Sequence, residues 1–185
     1  MQSNQTIMAT KTWAIDPTHS EVQFKIKHLM ITNVTGHFSD YNVTVQTENE
    51  DFNKASIAFT AEVDSISTGN TQRDGHLKSA DFFDAAKYPQ VKFTGTRFEK
   101  ADDEGNYTLH GDLTIMETTK NIKLDVEFGG IMKDPYGNTK AGFTVTGKIK
   151  RKEFGLQWDA VTEAGGVVVS DEVRINCEIQ LVEQA

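Results

Sequence analysis

Alternation with period two runs along almost the whole chain and limits what it can fold into. Successive strand side chains point to opposite faces, so a strand with one face in a core and the other in water must read apolar, polar, apolar. Residues 20–30 do this, with Val22, Phe24, Ile26, His28 and Met30 set against Glu21, Gln23, Lys25 and Lys27. Residues 34–47 start in one register with Val34, Gly36 and Phe38 and continue in the other with Tyr41, Val43 and Val45, which predicts a bulge near Asp40. Further inner sets are Ile57, Phe59, Ala61 and Val63; Val91, Phe93 and Gly95; and Tyr107, Leu109, Gly111, Leu113 and Ile115. Ile122, Leu124, Val126 and Phe128, then Ala141, Phe143, Val145, Gly147 and Ile149, then Val173, Ile175, Cys177, Ile179 and Leu181 complete a prediction of eight strands.

Polar, glycine- or proline-bearing connections at 49–53, 102–106 and 134–138 have hairpin length, so neighbouring strands pair antiparallel. One-sided strands with short reversals make either a sandwich or an up-and-down barrel, and closure removes the exposed edges. The expectation is an all-β, eight-stranded antiparallel up-and-down barrel of the lipocalin-like kind. It forms one domain over residues 12–185, preceded by a flexible N-terminal segment, 1–11. A helical insertion is expected near residues 70–87, where Thr71 with Asp74 and Asp81 with Asp84 resemble the starts of two short helices. Leu77, Phe82 and Phe83 give that insertion an apolar face to lay on one mouth of the barrel, as a lid or a plug.

Composition narrows the partners. Of 185 residues, 37% are hydrophobic and 25% charged, which suits a chain able to bury a core. A net charge of −8 gives an average field that repels phosphate backbones and anionic lipid surfaces, so nucleic acid is not expected as a partner. No stretch approaches the roughly 20 apolar residues that span a bilayer. The N-terminus lacks the basic start and apolar run of a secretory signal, so the chain as written is expected in the cytoplasm, or in the periplasm if it is a processed mature form. Cys177 is the single cysteine and reads as a small buried hydrophobe.

Strand segments of about 11 to 14 residues imply a barrel roughly 30 Å tall, more than a globular core requires. Gly95, Gly111 and Gly147 fall on the inward register, where they contribute no volume and predict a channel. The alternative is that they mark tight bends facing large neighbours such as Phe93 and Phe143. A channel walled by Val, Ile, Leu and Phe would suit a long apolar ligand.

Candidate chemistry is sparse. His19 and His28 are an odd number of positions apart, which points their rings to opposite faces and excludes a shared metal on one strand. No metal or cofactor is expected. Arg73, Asp74, His76 and Lys78 form the densest mixed-charge group, placed to meet a diphosphate or another polar head group, or else to cap and solvate a helix. The sequence contains no nucleophile elbow, zinc-protease helix motif, Cys-x-x-Cys pair or phosphate-cradling glycine loop.

The order and content of several segments resemble the YceI-like polyisoprenoid-binding family from about Trp13 to Glu183. Trp13-x-Ile15-Asp16-x-x-His19-Ser20-x-Val22-x-Phe24 and Val34-x-Gly36-x-Phe38 carry the resemblance at the start. Ser67-x-Gly69 follows, then Arg73-Asp74-x-His76-Leu77-x-Ser79-x-Asp81-Phe82-Phe83-Asp84, a long and specific run. Tyr88-Pro89, Gly111-x-Leu113-Thr114-Ile115, Thr119-Lys120, Arg151-Lys152-x-Phe154-Gly155 and Ser170-Asp171-Glu172-Val173 match further on. The resemblance implies a lipocalin-like barrel holding a long isoprenoid lipid of the polyprenyl diphosphate or isoprenoid quinone type, with no catalytic residue. The expected channel lining is Phe24, Ile26, Phe59, Phe93, Leu109, Leu113, Phe128, Phe143, Val145 and Ile175. Arg73, His76 and His19 are the expected head-group contacts. Two other readings stay open: an enzyme at the barrel mouth using His19 or His76 as general base, and a filled barrel serving as an interaction module, with a homodimer compatible with any of these.

Overall fold

A computed structural model describes residues 10–160 and 168–185, and the alternating sequence emerges in it as alternating burial. The strands are β1 (Thr10–Ile15), β2 (Glu21–His28), β3 (Thr32–Phe38), β4 (Tyr41–Glu48), β5 (Asp51–Glu62), β6 (Ile66–Ser67), β7 (Gln90–Lys100), β8 (Asn106–Ile115), β9 (Thr118–Lys133), β10 (Thr139–Lys150) and β11 (Val169–Glu183). The helix α1 (Thr71–Lys78) lies between β6 and β7.

These strands build the closed eight-stranded antiparallel barrel that the alternation predicts, because several of the short ones are halves of a single bent stave. β11 pairs with β10 along one edge and with both β2 and β1 along the other, as Val22 opposite Cys177 and Ile15 opposite Leu181 show. β3 and β4 form the next stave, pairing with β2 and β1 respectively, and β5 with β6 the one after. The bulge expected near Asp40 is therefore a kink between β3 and β4, nested beside kinks at Pro17–His19 and Val63–Ser65 in the staves on either side. Residues 1–9 of the segment expected to be flexible lie outside the described residues; Thr10 and Lys11 already pair with Glu48 and Thr47.

Asp16 organises the first kink. Its carboxylate accepts hydrogen bonds from the Thr18 amide at 3.2 Å, the Thr18 hydroxyl at 2.7 Å and Lys140 Nζ at 2.8 Å, and it lies 2.9 Å from His19 Nδ1. The Lys140 ammonium, then His19 and Thr18, hold this carboxyl well below the usual carboxylate range against the opposing effect of burial.

Two expectations need correction. The insertion forms only one helix: after α1, residues 79–88 turn rather than coil, with Phe83 N–H donating to Leu77 O and Tyr88 N–H to Asp84 O, and Asp84 in a left-handed conformation at φ 49°. The inward glycines also do not leave holes but face large neighbours, as the alternative reading of them has it. A Cβ on Gly111 would sit 2.2 Å from Phe93 Cζ, one on Gly147 2.4 Å from Leu124 Cδ2, and one on Gly36 2.2 Å from Phe24 Cζ. Each glycine is a seat on which a neighbouring strand's large side chain lies flat along the wall, and side chains laid on the wall stay out of the axis.

Gly111→Ala is expected to destabilise the fold by about 1–3 kcal/mol, since the new methyl meets both the Phe93 ring and the Thr94 carbonyl, and urea unfolding would measure this. Asp16→Asn is expected to cost about 1–3 kcal/mol at neutral pH. Because the folded-state pKa of Asp16 is depressed, its contribution is complete above the unfolded carboxylate range and disappears as pH falls through the lower folded value. The difference between wild type and variant in acid-unfolding titrations should accordingly shrink toward low pH.

Candidate functional site

One end of the barrel is stoppered by aromatic rings. Trp13, fully buried, packs against Phe52 with ring centroids 5.1 Å apart, and Phe52 meets Phe128 at 5.6 Å and Phe143 at 5.1 Å. Tyr107 joins Phe128 at 6.3 Å and stacks on Phe98 at 4.7 Å. The Trp13 indole N–H is satisfied by Thr47 Oγ1 at 3.0 Å, whose hydroxyl donates in turn to the Asn49 carbonyl at 2.6 Å.

Above this floor lies a cavity of about 440 Å³ whose walls are almost wholly aliphatic and aromatic. That is well above the roughly 150 Å³ that accommodates benzene in an engineered protein cavity. Phe24, Ile26, Phe59, Phe93, Leu109, Leu113, Val145 and Ile175 line it, as the alternation implies. Phe128 and Phe143 do not; they stack on each other at 5.1 Å within the floor. Period two tells which face a side chain takes but not its height along the barrel axis, and these two rings flank the β9–β10 turn at the stoppered end. Cys177 lines the cavity wall, and burial pushes its thiol up to about 11.

The opposite end is the mouth. The α1 residues Arg73, His76 and Leu77 reach it, with Phe82 and Phe83 from the turns that follow, Trp158 beyond β10, and Lys27 and His28 from the end of β2. The His76 ring stands edge-on to Phe82 at 5.1 Å and to Trp158 at 4.9 Å, while its Nε2 lies 2.8 Å from Asp81 Oδ2. Arg73 donates through Nε to Thr68 Oγ1 at 2.7 Å and through Nη2 to the Thr68 carbonyl at 2.8 Å. Asn70 caps α1 by accepting from the Arg73 amide, so Asp74 is released to accept from the Thr68 amide at 2.8 Å and hydroxyl at 2.6 Å. His19 is not part of this group. It sits in the Pro17–His19 kink beside Asp16, away from the cavity.

Sequence reasoning also missed Arg151, which is 2% exposed yet lines the cavity. Its guanidinium donates to four carbonyls: Ser170 at 2.9 Å, Leu156 at 2.7 Å, Trp158 at 2.6 Å and Val169 at 3.2 Å. Burial pushes its pKa down, opposed by Asp159, 3.8 Å away, and by Asp171. The cage ties the end of β10 to the start of β11 and carries Leu156 and Trp158 to the mouth. The signal was present in the sequence: Arg151 continues the inward register of Val145, Gly147 and Ile149, where a lone cation demands dedicated partners. The loop that Gly165 and Gly166 predict before the last strand lies outside the described residues. Among the described residues, no three His, Cys, Asp or Glu side chains gather as metal ligands, and no helix is long and apolar enough to cross a membrane.

Comparison with known proteins places these features in a family. The YceI-like domain matches residues 13–181. A UPF0312 protein of Staphylococcus aureus is 35% identical over 169 residues, which is 91% of this chain and 95% of that one. The crystal structure of the Campylobacter jejuni YCEI protein is 37% identical with a TM-score of 0.72, covering 87% of this chain and 91% of that one. A polyisoprenoid binding domain from Saccharophagus degradans shares the fold at 14% identity and a TM-score of 0.67, covering 93% and 98% of the two chains.

Arg151→Ala is expected to cost about 3 kcal/mol or more by leaving the four carbonyls without donors. Arg151→Lys should recover only part of this, because an ammonium cannot reproduce the planar fork. Urea unfolding of the three proteins would show the order.

Proposed function

The chain belongs to the YceI-like family, and from the shape and lining of its cavity we propose that it binds and carries a long apolar isoprenoid lipid, tail first. The observation that carries this reading is a deep apolar cavity, about 440 Å³, stoppered by aromatic rings at one end and edged by polar groups at the other. Such walls offer almost nothing to orient a sugar or a charged metabolite but reward burial of hydrocarbon at about 25 cal/mol per Å². The Saccharophagus degradans domain of the same fold, which binds polyisoprenoid, supports the choice of lipid.

At the mouth, Arg73 and His76 are proposed to meet the head group of a polyprenyl diphosphate or an isoprenoid quinone. Arg73 spends Nε and Nη2 on Thr68, leaving Nη1 outside that pair of bonds. His76 is fixed by Asp81 and by two aromatic edges, a geometry that presents a hydrogen-bonding ring beside an apolar shaft. His19, outside the barrel, has no part in this reading, and neither does catalysis.

Native purification followed by solvent extraction and mass spectrometry would test the assignment. A stoichiometric isoprenoid should accompany the wild type and a variant at exposed Lys123, while Leu113→Asp, which sets a charge in the cavity wall, should lose it by a factor of about 100 or more. Equal retention in all three would sink the proposal. Added ligand at about 100 times its Kd should stabilise the wild type by about 2.7 kcal/mol and the Leu113 variant far less.

A further inference from the structure

The hairpin between β2 and β3 ends in three large apolar residues that face water. Leu29, Met30 and Ile31 are 40%, 51% and 78% exposed. The turn that carries them is the kind in which Asn-Gly is favoured: Leu29 and Met30 both adopt left-handed conformations, at φ 52° and 60°, and the Ile31 amide donates back to His28 O at 3.2 Å. Bulky side chains are unfavourable there on conformational grounds and on hydration grounds alike. The tip adjoins the cavity, since Lys27, His28 and Val168 line the mouth and the Leu29 amide donates to Val168 O at 2.8 Å.

A second observation lies on the outer wall below this tip. Lys148, Arg174 and Lys25 stand directly opposite one another across β10, β11 and β2, all exposed. Like charges in cross-strand register destabilise a sheet. Exposed Lys27 and Lys150 extend the patch, and Glu172, 3.3 Å from Arg174 and opposite Lys150, is the acid set among them. On a chain of net charge −8 this patch runs against the average. The turns at the stoppered end carry acids instead, with Glu48, Glu50 and Asp51 in one and Asp102, Asp103 and Glu104 in another. The mouth end has exposed acids of its own at Asp81, Glu117 and Glu153, on other elements, so the basic character belongs to this one wall.

We infer that Leu29, Met30 and Ile31 insert into the interface of an anionic phospholipid bilayer while Lys25, Arg174 and Lys148 lie on its head groups, holding the cavity mouth at the membrane. Apolar tip and basic wall belong to the same end of the barrel, the combination that interfacial docking uses. Near an anionic surface each basic residue is worth roughly fivefold in partitioning. The use of such docking, exchange of the carried lipid with the bilayer, rests on the carrier reading above; the docking itself rests on the tip and the basic row.

The test is co-sedimentation of the full chain with vesicles of phosphatidylcholine alone or mixed equally with phosphatidylglycerol, at low and high salt. The wild type should bind the anionic vesicles and be released by salt. Met30→Asp with Ile31→Asp should weaken binding by about tenfold or more, and Lys25→Glu with Arg174→Glu by about twentyfold or more. Aspartate tolerates the left-handed turn better than methionine does, so the tip variant should fold, and circular dichroism with lipid extraction of each variant checks fold and cargo separately. Wild type that ignores anionic vesicles at low salt, or a tip variant that binds like wild type, overturns the inference. So does a tip variant that changes the sedimentation mass of the protein without vesicles, which would assign the tip to a second copy of this chain. Docking without co-purifying lipid leaves the inference standing and removes the carrier reading; lipid without docking does the reverse.

Discussion

Everything in this molecule depends on the hydrogen bonds that close its sheet, where the last strand joins the two halves of the first stave. An open sheet must hide its apolar face against a second layer and leave two edges unpaired. Closure removes both needs and imposes another, for the inner face now has only itself to pack against. The chain meets that demand unevenly. Six aromatic rings fill the end where Trp13 lies, while beyond them Phe24, Phe93 and Leu124 rest on the glycines of neighbouring strands and leave the axis free.

The mouth depends on polar contacts that the apolar barrel cannot supply. Arg151 is a cation placed where an inward aliphatic residue belongs, and four carbonyls accept its protons. Such a cage is directional, so it defines where the chain after β10 must run in a way that apolar packing would not. Asp16 does similar work at the first kink, joining Lys140 of β10 to the bend between β1 and β2. The two ionic groups occupy the places where a stave bends or ends, which are the places where ladder bonds alone leave the backbone underdetermined.

The barrel was legible because closure and alternation are both properties of the pattern as a whole, insensitive to any one residue. The lining was legible only in part. Phe59 and Phe128 look alike in phase, but one faces the cavity and the other the floor, because height is set by strand tilt and hairpin position rather than by period. The glycines left two readings open for a related reason: the pattern shows that Gly111 lacks a side chain but does not choose between a hole and a large neighbour, and the Phe93 ring occupies the place. His19 was expected beside the head-group residues, but it sits in the kink next to Asp16, away from them. Trp158 went unrecognised because it lies past the last residue of β10, beyond the strand periodicity, and meets His76 from a distant part of the chain, and Arg151 because its register shows that it points inward but not which carbonyls it meets.

The hollow interior also bears on how long each copy survives in a cell. Apolar walls that face no partner atoms forfeit packing contacts, so a lumen of about 440 Å³ withholds stability whenever nothing fills it. On the lipid-carrier reading, loading and folding draw on one free energy, and the unloaded copy visits its unfolded state more often. Proteases act on that state. Turnover then falls on idle molecules first, and the standing amount of this protein tracks the supply of its cargo without any dedicated sensor.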